Sequence, residues 1–139
     1  MRVGFSRALV VAATLFLASV GGRAIVNGQG NPEAAKVQNP IPATPESVKA
    51  GETVFQRNCA RCHGANAKGG QPVGSATSAN LTDEKWDHGG TDGEIFSTIK
   101  NGVPPKFDMD SWDGRIKDPD IWNLVNYIRT LGPKAPAKK

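Results

Sequence analysis

The chain has 139 residues, of which 38% are hydrophobic and 6% aromatic, with 16 glycines, 10 prolines and two cysteines. That is one loop-rich domain, too poor in large apolar side chains to build a sizeable core from them alone. The net charge of +4 rests on Arg2, Arg7 and Arg23 near the start and Lys134, Lys138 and Lys139 at the end; the rest is acidic on balance, which excludes a nucleic-acid surface.

Met1 to about Ala24 reads as an export signal: Arg2 and Arg7, an apolar run from Ala8 to Val20, then Gly21, Gly22 and Ala24 where a peptidase would cut. The apolar run is short of the about 20 residues a spanning helix needs, so a membrane enters only if the leader stays uncleaved. Residues 25–43 turn to Asn, Gly, Gln and Pro with no sustained period, and are expected to form a flexible arm.

Thr44-Pro45-Glu46 opens a helix, with a hydroxyl cap, proline at the first position and an acid in the first turn. Val48, Gly51 and Phe55 share one face of it. The helix delivers the chain into Cys59-Ala60-Arg61-Cys62-His63, which holds the only two cysteines. Two thiols three positions apart, followed at once by an imidazole, form the attachment pattern of a c-type haem. On one helical turn both sulfurs reach the porphyrin vinyl groups, and the imidazole reaches the iron. A disulfide across so short a gap would be strained. A thioredoxin-like pair would want a βαβ setting, and a zinc site lacks a fourth ligand beyond His88.

Residues 65–80 read as loop, broken by Gly69-Gly70, Pro72 and Gly74. Thr91-Asp92-Gly93-Glu94 is a capping box opening a short helix with Ile95, Phe96 and Ile99, closed by Asn101-Gly102. Pro104-Pro105 forbids continuation, and an extended segment runs to Trp112. The last helix starts with Asp118 as cap and Pro119 at its first position; Ile121, Leu124, Val125, Ile128 and Leu131 form its apolar stripe. Gly132-Pro133 stops it, and residues 134–139 are expected to be a disordered basic tail. No strand pattern is present, so the expected class is all-α.

A second axial ligand is sought opposite His63. Met109 is the sole methionine besides Met1, and it lies between two aspartates in a proline-preceded segment rather than on an apolar helix face. Its thioether suits haem iron. His88, in a turn beside Gly89-Gly90, is the rival, and an open sixth site is the third alternative.

Residues 44–132 resemble the class I cytochrome c family in its short, monohaem bacterial form. The features carrying the likeness are the helix with Gly51 and Phe55, the Cys59–His63 motif, Asn80-Leu81, the segment from Pro104-Pro105 to Met109, and Leu124-Val125-Asn126-Tyr127. The resemblance implies three to four short helices and loops wrapped around one covalent haem c. It also implies a close crossing of Gly51 and Phe55 with Leu124 and Tyr127. Pro72 would supply the carbonyl that holds the ligand imidazole, Leu81 would line the His63 side of the ring, and Trp86 or Trp112 would donate to a haem propionate or act as an apolar lid. The function implied is one-electron transport in the periplasm with His63/Met109 ligation and redox proteins as partners, not enzymatic catalysis. An electron-transfer subunit of a larger dehydrogenase or oxidase is the alternative, ahead of a haem sensor or peroxidase.

Overall fold

A computed structural model describes residues 30–73, 76–105 and 108–132. The expected export signal (1–24), the first part of the arm and the basic tail lie outside these residues. Four helices carry the fold: α1 (Pro45–Asn58), α2 (Ala60–His63), α3 (Asp92–Asn101) and α4 (Asp118–Leu131). The class is all-α, as expected, with one addition. Inside the expected loop, β1 (Pro72–Val73) and β2 (Ala76–Thr77) pair antiparallel, Pro72 opposite Thr77 and Val73 opposite Ala76. Two residues per strand are too few to leave an alternating pattern in the sequence.

Local signals set the helix starts. The Thr44 hydroxyl accepts from the Ser47 amide, with Pro45 in the first turn of α1. At α3 both bonds of the capping box are present. Helix α4 departs from expectation by one residue, because Lys117 rather than Asp118 is its cap. The Asp118 carboxylate is engaged elsewhere, accepting from Lys100 Nζ at 2.8 Å on both oxygens, and so ties the end of α3 to the start of α4.

Helices α1 and α4 cross at Gly51. A Cβ there would collide with the Asn123 carbonyl and stand 2.8 Å from Tyr127 Cβ, so only glycine permits this approach. One turn on, the rings of Phe55 and Tyr127 meet at 5.4 Å between centroids, tilted by 52°. The crossing expected from the family resemblance is therefore present, with the Asn123 backbone as an additional partner. Phe55, Ile121, Leu124 and Val125 are fully buried around it. Helix α3 packs on α4 through Phe96 and Trp122, whose rings stack at 4.0 Å.

Residues 30–43 are not a free arm. They carry a 3₁₀ turn, Ala34–Lys36, packed on α3 at Gly93, where a Cβ would collide with the Ala34 carbonyl. Beyond it, Asn39 Nδ2 donates to Asn126 Oδ1 at 2.9 Å and to the Trp122 carbonyl at 3.1 Å. Asn126 Nδ2 in turn donates to the Ile41 carbonyl (3.0 Å) and to Ser47 Oγ (2.8 Å). The polar composition that suggested a linker is instead the material of a hydrogen-bonded seam, with asparagines as both donors and acceptors.

Candidate haem site

The helices enclose a cavity of about 470 Å³ whose walls include Phe55, Leu81, Ile95, Ile99, Leu124 and Ile128. That size and apolar lining fit a buried cofactor. Cys59, Cys62, His63, Met109, Trp86 and Trp112 line it as well. Of the residues expected from the sequence to contact the haem, Pro72 alone stays away: it is exposed at the start of β1.

The motif turn forms at the end of α1. The Cys59 carbonyl accepts from the amides of Cys62 (3.0 Å) and His63 (2.9 Å), which brings both sulfurs and the imidazole to one side. Cys59 is buried, and that burial, helped by the neighbouring Cys62, pushes its thiol up to about 12. A thiol so reluctant to ionise is a poor redox nucleophile. A thioether sulfur carries no charge, so the same burial costs it nothing.

His63 Nδ1 lies 3.0 Å from the Ala79 carbonyl oxygen. This corrects the expectation for Pro72, since the carbonyl facing the imidazole comes from Ala79. The loop reaches it by folding back on itself. Ser78 Oγ donates to the Cys62 carbonyl at 2.7 Å, the Gly69 amide donates to the His63 carbonyl at 2.8 Å, and Leu81 N donates to the Ala67 carbonyl at 2.8 Å. Gly69, at φ +64, is pressed against Ser78 and Ala79 where no Cβ fits. Sequence reading missed Ala79 because a backbone carbonyl leaves no residue-type signature; the glycine pair was its only trace.

Met109 is hung from the C-terminal end of α3. Its carbonyl accepts from Val103 N at 2.9 Å, and Gly102 turns tightly against it at φ +73. Past it, Ser111 Oγ donates to the Lys100 carbonyl at 2.7 Å and Trp112 N to the Ile99 carbonyl at 3.2 Å. The last carbonyls of α3, left without helical partners, thus hold the methionine segment against the cavity. The Arg115 guanidinium covers the Trp112 ring at 4.4 Å. Trp86 is backed by Gly90, whose carbonyl accepts from Arg129.

The family model described as "Cytochrome C oxidase, cbb3-type, subunit III" matches residues 46–128, which include the motif turn, the cavity walls and Met109. The chain belongs to that family. It is a c-type cytochrome, and its cofactor is one haem c, covalent through Cys59 and Cys62. The chain is 41% identical over 91 residues to the Cbb3-type cytochrome c oxidase subunit FixP of Azorhizobium caulinodans, a match covering 66% of this chain and 29% of that protein. It is 37% identical over 87 residues to subunit CcoP of Azospirillum brasilense, covering 62% and 29%. The matched cytochrome thus spans under a third of the length of these curated relatives. Among solved structures, cytochrome cL of Methylophaga aminisulfidivorans superposes with a TM-score of 0.53 at 25% identity, over 62% of this chain and 53% of that one. A Kuenenia stuttgartiensis HAO-like protein complex superposes at 0.57 with 18% identity, over 71% and 49%, a likeness of fold alone.

Proposed function

We propose that this cytochrome passes single electrons as a haem-bearing component of a larger oxidase, with its domain spanning residues 44–133. The sequence reading preferred a freely diffusing periplasmic carrier; the relatives, named as subunits of cbb3-type oxidases, favour the subunit instead. The observation that carries the reading is the meeting of Cys59, Cys62, His63 and Met109 around one apolar cavity inside the span shared with the family.

In this reading His63 and Met109, which line the same cavity, would hold the iron. Ala79 holds the imidazole with Nε2 free for the metal, and the thioether of Met109 favours ferrous iron. Bound there, the haem supplies one-electron redox chemistry. The chain supplies the rest: Leu81 and the helix side chains keep water from the ring, while Trp86 and Trp112 close the walls. Nothing in this division of labour asks the chain to make or break a substrate bond, so catalysis belongs to its partners. With residues 1–24 read as an export leader, the place of work in this reading is the periplasm. Among the described residues no helix is long and apolar enough to cross a membrane.

Purification from the native host at low ionic strength tests the reading. The c-type haem should elute with oxidase subunits and oxygen-reducing activity. A haem protein that elutes alone at every salt concentration contradicts it and restores the free carrier.

A further inference from the structure

The segment that carries Met109 is held by little burial. Gly102 and Ile116 are buried, but none of the described residues between them is. From that stretch Met109 and Trp112 reach the apolar core, and both are only partly buried. A segment with so little buried apolar surface opens locally at a small fraction of the free energy of global unfolding.

What ties the segment to α3 is polar. Val103 N donates to the Met109 carbonyl, and the amides of Trp112 and Asp113 donate to the Ile99 and Lys100 carbonyls at 3.2 and 3.0 Å. These are backbone contacts, open to any side chain. The ties made by side chains differ in strength. Lys100 Nζ meets Asp118 at 2.8 Å and Asp113 at 3.7 Å, and the Arg115 guanidinium donates to the Ser111 carbonyl. Asp113, Arg115 and Asp118 are exposed, so water and salt weaken these contacts. Ser111 is half-buried. Its Oγ donates to the Lys100 carbonyl at 2.7 Å and accepts from the Asp113 amide at 3.2 Å. A hydroxyl two residues after Met109 thus occupies a carbonyl in the last turn of α3, where helical donors have run out.

We propose that Ser111 is a positioning residue that keeps the sixth coordination position closed, its bond to α3 latching the Met109 segment over the cavity. The inference rests on the reading that His63 and Met109 hold the iron. An added base such as imidazole enters when the sulfur–iron bond of Met109 breaks and a nitrogen–iron bond forms. Each donor keeps or brings its own lone pair, and no electron or proton moves. The base binds only the open segment, so its apparent affinity is its intrinsic affinity scaled by the open fraction. In the open segment water takes over the Ser111 hydroxyl. The latch bond therefore counts in the closed form alone, and its loss raises the open fraction by about threefold to tenfold. Ser111 in this way keeps the site an electron-transfer centre rather than a ligand-binding one.

Imidazole titration of the full ferric holoprotein tests this, in the parent, Ser111→Ala, Ser111→Thr and Ser47→Ala. Ser47 is buried in the Asn126 seam and outside the cavity wall, so Ser47→Ala lowers stability without touching the latch. Ser111→Ala should bind imidazole about threefold to tenfold more tightly than the parent. Its Val103 and Trp112 amides, which hold the segment, should also exchange hydrogen faster. Ser111→Thr, which keeps the hydroxyl, and Ser47→Ala should match the parent in both readouts. Unchanged affinity in Ser111→Ala overturns the latch. An equal rise in Ser47→Ala overturns it too, by making the effect one of global stability, and an equal rise in Ser111→Thr removes the hydroxyl from the account. A parent without the weak far-red absorption of a sulfur–iron bond overturns the seating of Met109, a distinct result. Amide exchange at Val103 and Trp112 then decides the latch by itself.

Discussion

The carbonyl oxygen of Ala79 faces Nδ1 of His63 at 3.0 Å, across sixteen residues of chain. A carbonyl only accepts, so Nδ1 carries the proton and Nε2 keeps its lone pair, the tautomer a metal ligand needs. The contact depends on Gly69, which lets Ser78 and Ala79 lie against the loop. Gly69→Val should strain the positive φ and displace that carbonyl, costing about 1–3 kcal/mol. Denaturant unfolding should show the loss, and the ferric spectrum should shift as the imidazole loosens. An unchanged spectrum and midpoint would detach Ala79 from the site.

Gly51 makes the same kind of test at the helix crossing. Gly51→Leu drives a side chain into the Asn123 backbone and Tyr127, and should destabilise by about 1–3 kcal/mol or more through overpacking. Coincident unfolding midpoints for variant and parent would mean that the helices do not meet there.

Asn126 joins the 30–43 segment to both terminal helices of the domain through Asn39, Ile41 and Ser47. Asn126→Leu leaves the buried Ser47 and the half-buried Asn39 and Ile41 without this mate and should cost about 1–3 kcal/mol. Limited proteolysis should then cut residues 30–42 well before the helices. Equal protease resistance in parent and variant would show that the seam is not what holds the segment.

The Lys100–Asp118 pair gives a pH signature. Its hydrogen bond to Asp118 holds the Lys100 ammonium above the ordinary value of 10.5. A raised value means that the pair's contribution is complete below pH 10.5 and is lost as pH rises through the folded value. The stability difference between parent and Lys100→Met should therefore shrink on alkaline titration. A difference that grows with pH would reverse the assignment. The side chains are partly exposed, so the effect is a small one.

What could be read from the sequence was what local chemistry decides. Thr44-Pro45, the Thr91–Glu94 box and the Cys59–His63 turn each carry their instructions within five residues, and each forms as read. Met109 stood out by its placement between aspartates, and it lines the cavity. The Ala79 carbonyl and the Asn39–Asn126 bond escaped notice for one reason. Their partners lie 16 and 87 residues away, and neither a carbonyl nor an asparagine in a loop declares a distant mate. The 30–43 segment was misjudged as a free arm on the same ground: polar composition marks missing apolar burial, not missing hydrogen bonds.

The central claim is that the iron of a covalent haem c sits in this cavity between His63 and Met109. Far-red absorption of the ferric protein tests it most directly, read together with carbon monoxide binding by the ferrous form. The expected result is a weak sulfur–iron band, no carbon monoxide adduct, and loss of both properties in Met109→Ala with a lowered reduction potential. The contradicting result is a parent protein that lacks the band and binds carbon monoxide readily. That would leave the sixth position open and replace electron transfer with sensing or catalysis.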